Sequence, residues 1–203
     1  LINKLNIMYI VWYNINSEGY MNKVKNNEIR DILSESISQI DDKRYMYYVS
    51  DLIENEIVLS MKNFIQHGST TCYDHCLSVS YYSYKIAKKF NLDAKSVARA
   101  GLLHDLFLYD WHKVLEKKPL FQKHGFTHPR TALENACKYF NLNEIEKDII
   151  EKHMWPLTLR KVPKYKESVI VTMVDKYCST RETFSPLVEK IKNLNFITRK
   201  QYF

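Results

Sequence analysis

Apolar residues recur at helical spacing along most of this chain. One stretch, from Asn27 to Ile40, repeats Ile29, Leu33 and Ile37 at intervals that place them on one face of a helix. The same spacing predicts further helices over residues 42–66, 73–90, 93–106, from 127 or 128 to 140, 143–153 and 167–180, with a last helix starting at 185. The pattern therefore predicts an all-α fold, a helical bundle of roughly seven to nine helices.

Residues that start or interrupt helices support this division. Asn143 followed by Glu146 three residues later is the pattern of a capping box, which opens a helix. Pro129 suits the first turn of a helix, which would make His128 or Thr127 the N-cap. The chain has only 4 glycines and 5 prolines. So few turn-forming residues are typical of long helices rather than of many short strands.

The length of 203 residues fits one domain with a sizeable core. We predict a single helical domain over residues 21–203 and an N-terminal extension of uncertain role over residues 1–20. The extension carries an apolar stretch that is too short to span a bilayer and lacks a small-residue cleavage site. The 4 cysteines show no C-x-x-C pair, which favours a reducing compartment. We therefore expect a cytoplasmic protein without a membrane partner.

The charge of the chain favours anionic ligands. The formal net charge is +7 and the sequence pI is about 9.1, although general enrichment in lysine accounts for the excess equally well. No run of Lys and Arg is long enough to indicate a nucleic-acid-binding tail. These features predict a small anionic partner and no nucleic acid, and they leave the oligomeric state open.

Several polar residues share the apolar faces of their predicted helices. His75, for example, is in phase with Val79, Tyr82 and Ile86. The residues placed in this way are His75, His104, Asp105, His128, His153 and Asp175. A buried imidazole or carboxylate requires a partner, and His nitrogens and carboxylates are common ligands of divalent transition metals. Inward-facing His and Asp on five helices therefore indicate a buried metal site.

The order H…HD…H…H…D of these six residues resembles the HD-domain superfamily of metal-dependent phosphohydrolases. The resemblance covers residues 64–180 and extends to the subset of the superfamily that binds two metals. The arrangement around His128-Pro129, His153 and Asp175 is most similar to bacterial symmetrical diadenosine-tetraphosphate hydrolases. The chain lacks the Gly-Tyr-Pro signature of the cyclic-dinucleotide phosphodiesterases in the superfamily. The resemblance implies an HD-domain helical bundle around a buried binuclear site.

The resemblance also implies a role for each ligand. The first metal would be held by His75, His104, Asp105 and Asp175, and the second by Asp105, His128 and His153. Asp105 would bridge the two ions and is therefore the first catalytic candidate. The expected cofactors are two divalent transition metal ions, with Fe or Mn favoured and Zn, Co or Ni compatible. The expected reaction is the cleavage of a phosphate ester or anhydride of a nucleotide-like substrate by a metal-bound hydroxide.

Residues around these ligands are candidates for contact with the substrate. His67 precedes the first ligand and is a second catalytic candidate, as a donor of a proton or a hydrogen bond to the leaving group. The loop after Asp105 carries Trp111, whose ring would offer a stacking surface for a base. The candidates for substrate binding are Arg130, Lys113, Thr71, Trp111 and His124. Arg130 is expected in the first turn of the helix that His128 opens and is therefore the best placed of the candidate phosphate-binding cations.

Two other functions are compatible with the same ligands. Mixed-valent diiron oxygenases of the superfamily use a similar set of six, so a dioxygen-dependent enzyme acting on a small polar substrate is one alternative. A non-catalytic domain that senses a nucleotide is the other, although a sensor could lose ligands and this set is complete. The positive charges near the ligands favour a phosphorylated substrate and therefore the hydrolase.

Overall fold

The computed structural model describes residue 40, residues 42–113, residue 119 and residues 122–200, and from residue 185 onward it describes the backbone alone. The predicted N-terminal extension and nearly all of the predicted helix over residues 27–40 lie outside these residues. Within them the chain forms seven α-helices. They are α1 (Lys43–Ile53), α2 (Glu56–Leu59), α3 (Cys72–Lys89), α4 (Ala94–Leu103), α5 (His124–Tyr139), α6 (Glu144–Lys152) and α7 (Lys166–Lys200). The predicted all-α class is confirmed.

The helix predicted over residues 42–66 is divided in the structure. Asp42 caps α1 by accepting hydrogen bonds from the amides of Arg44 and Tyr45 at 3.0 and 3.1 Å. Asn55 then accepts a hydrogen bond from the amide of Ile57 at 2.9 Å and starts α2. An Asn side chain that bonds to the backbone favours a new helix start over continuation, so the single helix predicted from apolar spacing was wrong.

A short β-hairpin, which the sequence analysis did not predict, leads into α3. Strands β1 (Ile65–His67) and β2 (Thr70–Thr71) pair antiparallel. The turn between them contains Gly68, whose φ of 58° lies in the left-handed region that glycine adopts without strain. The amide of Cys72 donates to the carbonyl of Phe64 at 2.8 Å. The hairpin is thereby fixed against the start of α3. Gln66 is buried, whereas Ile65 and His67 on either side of it are more exposed.

Helices α3 and α4 pack closely at the centre of the bundle. A Cβ atom on Gly101 would lie 2.8 Å from the Cα of Ser80, so the two backbones approach too closely for a side chain at this position. Tyr45 of α1 reaches the same region and its hydroxyl is 2.9 Å from Ser80 Oγ. Helix α7 packs on α3, and α6 packs on both α4 and α7. No helix in the described residues combines the length and apolar character needed to cross a bilayer.

Two predicted helix boundaries differ from the structure. Helix α5 begins at His124 rather than at residue 127 or 128, so Pro129 lies within the helix instead of in its first turn. A proline there removes one backbone hydrogen bond but leaves the preceding turn helical. Helix α7 continues without a break from Lys166 to Lys200, where the prediction ended one helix at Thr180 and began another at residue 185. The predicted capping box of Asn143 and Glu146 is present at the start of α6.

Candidate metal centre

Five helices bring the six predicted His and Asp ligands to one point inside the bundle. His75 lies in the first turn of α3, His104 ends α4 and is followed by Asp105, and His153 ends α6. The remaining two lie within helices, His128 in α5 and Asp175 in α7. All six are buried, with exposed fractions between 0% and 7%. Such burial of imidazoles and carboxylates requires strong mutual interactions or a bound cation.

His75, His104 and Asp175 form one group of possible ligands. Asp175 Oδ1 lies 3.2 Å from His75 Nε2 and 3.7 Å from His104 Nε2. The three atoms therefore lie close enough together to bind one ion. Nitrogen and carboxylate oxygen atoms in this arrangement are suited to a divalent transition metal.

Asp105, His128 and His153 form a second group. Asp105 Oδ1 lies 3.2 Å from His128 Nε2 and 3.5 Å from His153 Nε2. The other oxygen, Oδ2, lies 3.6 Å from His104 Nε2 in the first group. The two oxygens of Asp105 thus face different groups, which is the arrangement of a carboxylate that bridges two ions.

Hydrogen bonds to the backbone determine the tautomers of three of the histidines. In each, Nδ1 lies 2.8 Å from a carbonyl oxygen: His104 from Gly101, His128 from His124 and His153 from Ile150. A carbonyl only accepts, so Nδ1 carries the proton in all three rings. In the neutral form of each ring the Nε2 lone pair is then available to bind a metal, as in most histidine sites where the second nitrogen is held by an outer partner.

The donor atoms of the site are arranged as a bound cation would require. Among the described residues, His104 Nε2 and Asp105 Oδ1 are buried atoms without a hydrogen-bond partner. The Nε2 atoms of His128 and His153 lie 2.8 Å apart. Because both rings carry a proton on Nδ1, two lone pairs face each other and repel unless a cation or a proton lies between them. The arrangement suits metal ions and leaves buried polar atoms unsatisfied in their absence.

The electrostatics of the site also favour a cation. Burial opposes ionisation of Asp105, but His104 and His128 outweigh it and hold the pKa of Asp105 well below its ordinary value. Burial is likewise outweighed at Asp175, where the neighbouring His104, His75 and Lys176 hold the pKa well below its ordinary value. Burial together with His128 lowers the pKa of His153 to about 3, so that ring is neutral. Two charged carboxylates beside a neutral imidazole attract a divalent ion.

Comparison with known families agrees with this geometry. The profile of the HD domain matches residues 72–180, which is just over half of the 203-residue chain and contains all six ligands. The chain belongs to the HD-domain family. Proteins of this family are in general metal-dependent hydrolases. No curated protein and no solved structure shows a significant match to the chain.

A cavity of about 1040 Å³ opens onto the metal centre of this HD domain. Asp105, Asp175, His128 and His153 form its floor. Its walls come from the hairpin, from the loop after Asp105, from the start of α5 and from α7. A substrate in the cavity would therefore meet both ligand groups at once.

Besides Asp105, three of the predicted catalytic or substrate-binding residues line this cavity: His67, Trp111 and His124. The ring of His67 packs edge-on against His75, with 5.3 Å between centroids. Burial lowers the pKa of His67, which keeps the ring neutral near pH 7. His124 accepts or donates a hydrogen bond with the Tyr109 hydroxyl at 2.9 Å, and burial lowers its pKa to about 3. His124 is therefore not a positive charge for a phosphate.

The other three predicted contacts lie away from the cavity. Thr71 caps α3 by accepting from the amide of Asp74. Arg130 is exposed and pairs with Glu134 at 2.7 Å, because it follows the inward-facing His128 by two residues and so lies on the opposite face of α5. Lys113 is 84% exposed and pairs with Asp110. The lysines that do line the cavity are Lys123 and Lys176.

Both faces of the Trp111 ring are covered, contrary to the prediction that the ring would stack on a base. His112 stacks on one face with centroids 3.8 Å apart, and His124 lies parallel on the other at 5.0 Å. His124 in turn stacks on His128 at 4.5 Å. The ring of Trp111 is thus part of an aromatic stack that ends at a ligand.

The sequence analysis missed three residues of the site. Glu182 lies 2.8 Å from His75 Nδ1, and it was missed because α7 was predicted to end at Thr180. Its spacing of seven residues from Asp175, two helical turns on the same face, was the available signal. Gln66 was assigned to a helix, although it donates to Asp105 Oδ2 at 2.5 Å. Lys176 was not among the candidates, although its Nζ lies 3.1 Å from the carbonyl of His153.

Proposed function

We propose that this HD domain is a metal-dependent phosphohydrolase that cleaves a phosphate ester or anhydride of a nucleotide-like substrate. The observation that carries the proposal is the position of Asp105. Its two oxygens face two ligand groups, and both groups open onto one cavity that also contains two lysines. A pair of ions that share one carboxylate is suited to holding a phosphoryl group.

Each ligand group would hold one divalent ion. His75, His104 and Asp175 would hold the first, His128 and His153 the second, and Asp105 would contact both. Bound there, the ions would lower the pKa of water and polarise the phosphoryl oxygens. His and Asp ligands are compatible with Mn, Fe, Zn, Co and Ni, and we expect Mn or Fe.

The protein's own side chains would orient the phosphoryl group. Lys176 is held by the carbonyl of His153 at 3.1 Å and lies 4.0 Å from Asp175 Oδ2. Its charge is thereby placed beside the metal centre, where it would bind a phosphate oxygen. Lys123 lies in the wall of the same cavity and is exposed at its rim. These two lysines replace Arg130 and Lys113 as the proposed phosphate-binding cations.

His67 would act on the leaving group as a donor of a hydrogen bond. A general acid needs a protonated imidazole, whereas burial lowers the pKa of His67 and leaves the ring neutral. A neutral imidazole still has one N–H group, and His67 lines the cavity beside His75. We therefore propose that His67 stabilises the developing charge on the leaving oxygen without transferring a proton.

The size and walls of the cavity support a nucleotide-like substrate. A volume of about 1040 Å³ is at the upper end of the range for small-molecule sites. Tyr109, Trp111 and His112 line the cavity together with Lys123 and Lys176. The cavity thus offers aromatic side chains as well as cations for a phosphate. The similarity in ligand order to diadenosine-tetraphosphate hydrolases favours a nucleoside polyphosphate.

The proposal is tested with metal-free protein reloaded with Mn²⁺ under anaerobic conditions. We expect release of phosphate or of a nucleotide from at least one member of a panel of mononucleotides and dinucleoside polyphosphates. Asp105→Asn should abolish the reaction, and Glu134→Gln on the exposed face of α5 is the control. If Asp105→Asn lowers the rate by less than about tenfold, roughly 1.4 kcal/mol in the barrier, the bridging ligand is another residue. Turnover that requires both iron and dioxygen, with no phosphate released, would identify an oxygenase instead.

A further inference from the structure

One side chain links the carboxylate between the two ligand groups to the aromatic wall of the cavity. Gln66 donates from Nε2 to Asp105 Oδ2 at 2.5 Å, and its Oε1 accepts from the indole nitrogen of Trp111 at 3.3 Å. The side chain is buried, with 5% of its surface exposed. Neither Gln66 nor Trp111 has an atom in the ligand groups themselves.

The chemistry of the three partners allows this link only one orientation. A carboxylate accepts hydrogen bonds and an indole N–H donates them. The amide of Gln66 must therefore turn its NH₂ group to Asp105 and its oxygen to Trp111. Trp111 is itself held between His112 and His124. The amide consequently has no freedom to rotate without loss of both hydrogen bonds.

The link also determines which way Asp105 faces. Gln66 holds Oδ2 on the side of His104, and Oδ1 is left to face His128 and His153 without a hydrogen bond among the described residues. A carboxylate that bridges two ions must keep this orientation. Outer partners that orient a ligand in this way strengthen metal binding because the site does not have to be ordered when the ion arrives.

We propose that Gln66 and Trp111 are positioning residues that act in series, with Trp111 orienting Gln66 and Gln66 orienting Asp105 for metal binding. Both are needed for full metal affinity, and the indole N–H contributes only through Gln66. This inference concerns metal binding and does not depend on the reaction proposed above. Its test therefore needs no substrate.

The first test is a calorimetric titration of metal-free protein with Mn²⁺. Gln66→Met keeps the volume of the side chain and removes both hydrogen bonds. We expect Mn²⁺ affinity to fall about 10–100-fold, the usual loss when an outer partner of a ligand is removed. Gln122→Met, an exposed position in the wall of the same cavity, is the matched control and should bind as wild type. Unchanged Mn²⁺ affinity in Gln66→Met would overturn the proposal, even with reduced thermal stability.

The second test separates action in series from independent contributions. Trp111→Phe keeps an aromatic ring in the stack and removes the N–H donor, so we expect Mn²⁺ affinity to fall about threefold to tenfold. In the Gln66→Met background the same change should alter affinity by less than about twofold. If the losses of Mn²⁺ affinity in the two single variants add in the double variant, the serial arrangement is overturned. If Gln66→Met does not fold, wild-type Mn²⁺ affinity in Trp111→Phe alone overturns it.

Discussion

Glu182 and His75 lie 107 residues apart in the sequence, yet Glu182 Oε2 is 2.8 Å from His75 Nδ1. A carboxylate in this position keeps the proton of the ring on Nδ1 and leaves Nε2 for a metal, as the carbonyls do for the other three histidines. Glu182 lies just beyond the region matched by the HD-domain profile, which ends at residue 180. The continuous helix α7 is what carries it back to the site.

Removal of Glu182 should weaken the first ligand group. We expect Glu182→Ala to lower Mn²⁺ affinity about 10–100-fold, because His75 loses the partner that sets its tautomer. Glu182→Gln, which can still accept from Nδ1, should lose less. Calorimetric titration of the metal-free protein measures both. Wild-type affinity in Glu182→Ala would show that the contact has no part in metal binding.

Two ions per chain are expected from the two ligand groups. The metal content measured by elemental analysis after reconstitution should approach two equivalents per chain, since six buried ligands are available. His128→Ala and His153→Ala each remove a ligand of the second group alone and should lower the value toward one. A value of one that neither substitution changes would contradict the two-metal arrangement.

The position of the cations predicts unequal effects of two substitutions on substrate binding. Lys176→Met should raise KM about tenfold or more, the scale of a lost hydrogen bond to a charged group. Arg130→Met should leave KM unchanged, because Arg130 pairs with Glu134 on the outer face of α5. Steady-state kinetics of both variants, with the best substrate from the panel, measure the two KM values. A larger rise in KM for Arg130→Met would restore the assignment made from the sequence.

Gly101→Ala should destabilise the protein. In an exposed helix this change stabilises by about 1 kcal/mol, but here the new Cβ would lie 2.8 Å from the Cα of Ser80. Overpacking between two helix backbones costs about 1–3 kcal/mol. Gly125→Ala is the matched control, because its Cβ would meet only the ends of the Leu157 and Met154 side chains, at 3.3 and 3.8 Å. Urea unfolding measures both, and a gain in stability for Gly101→Ala would contradict the close approach.

Asp148 should make stability depend on pH in acid. Its Oδ2 accepts from the amide of Lys164 and the hydroxyl of Ser168 at 2.9 and 2.6 Å, and so joins α6 to the start of α7. Burial raises the pKa of Asp148, but the contacts with Lys152 and Ser168 outweigh it and the net shift is downward. A lowered pKa means that this stabilisation is complete above about pH 4, the unfolded value, and is lost as the pH falls through the folded pKa.

Asp148→Asn provides the measurement. At neutral pH we expect the variant to lose about 1–3 kcal/mol in the free energy of unfolding. The difference from wild type should shrink as the pH falls below about 4, since protonation then removes the same charge in the wild type. Urea unfolding at a series of pH values shows this. A difference that stays constant into strong acid would mean that the carboxylate charge is not involved.

The helices and the inward-facing polar residues could both be predicted, because the burial of one face of each helix produces the apolar spacing and makes a polar residue on that face stand out. Apolar spacing records which face of a helix is buried, so His75 or Asp175 on that face is visible as an exception without any knowledge of the fold. Local hydrogen bonds are equally accessible from sequence, as the capping box of Asn143 and Glu146 shows. The sequence by itself therefore determined the all-α class, the main helices and the order of residues that resembles the HD-domain superfamily.

The remainder of the site was decided by the tertiary structure. Gln66 reaches Asp105 from a hairpin that packs against α3, and Glu182 reaches His75 because α7 continues past the predicted end. Arg130 lies beyond the first turn because α5 begins at His124, and its side chain pairs with Glu134 on the outer face. Each of these depends on where an element begins or ends and on which neighbour it meets. Hydrophobic periodicity identifies a buried face, but the contacts between distant elements arise only when those faces pack together.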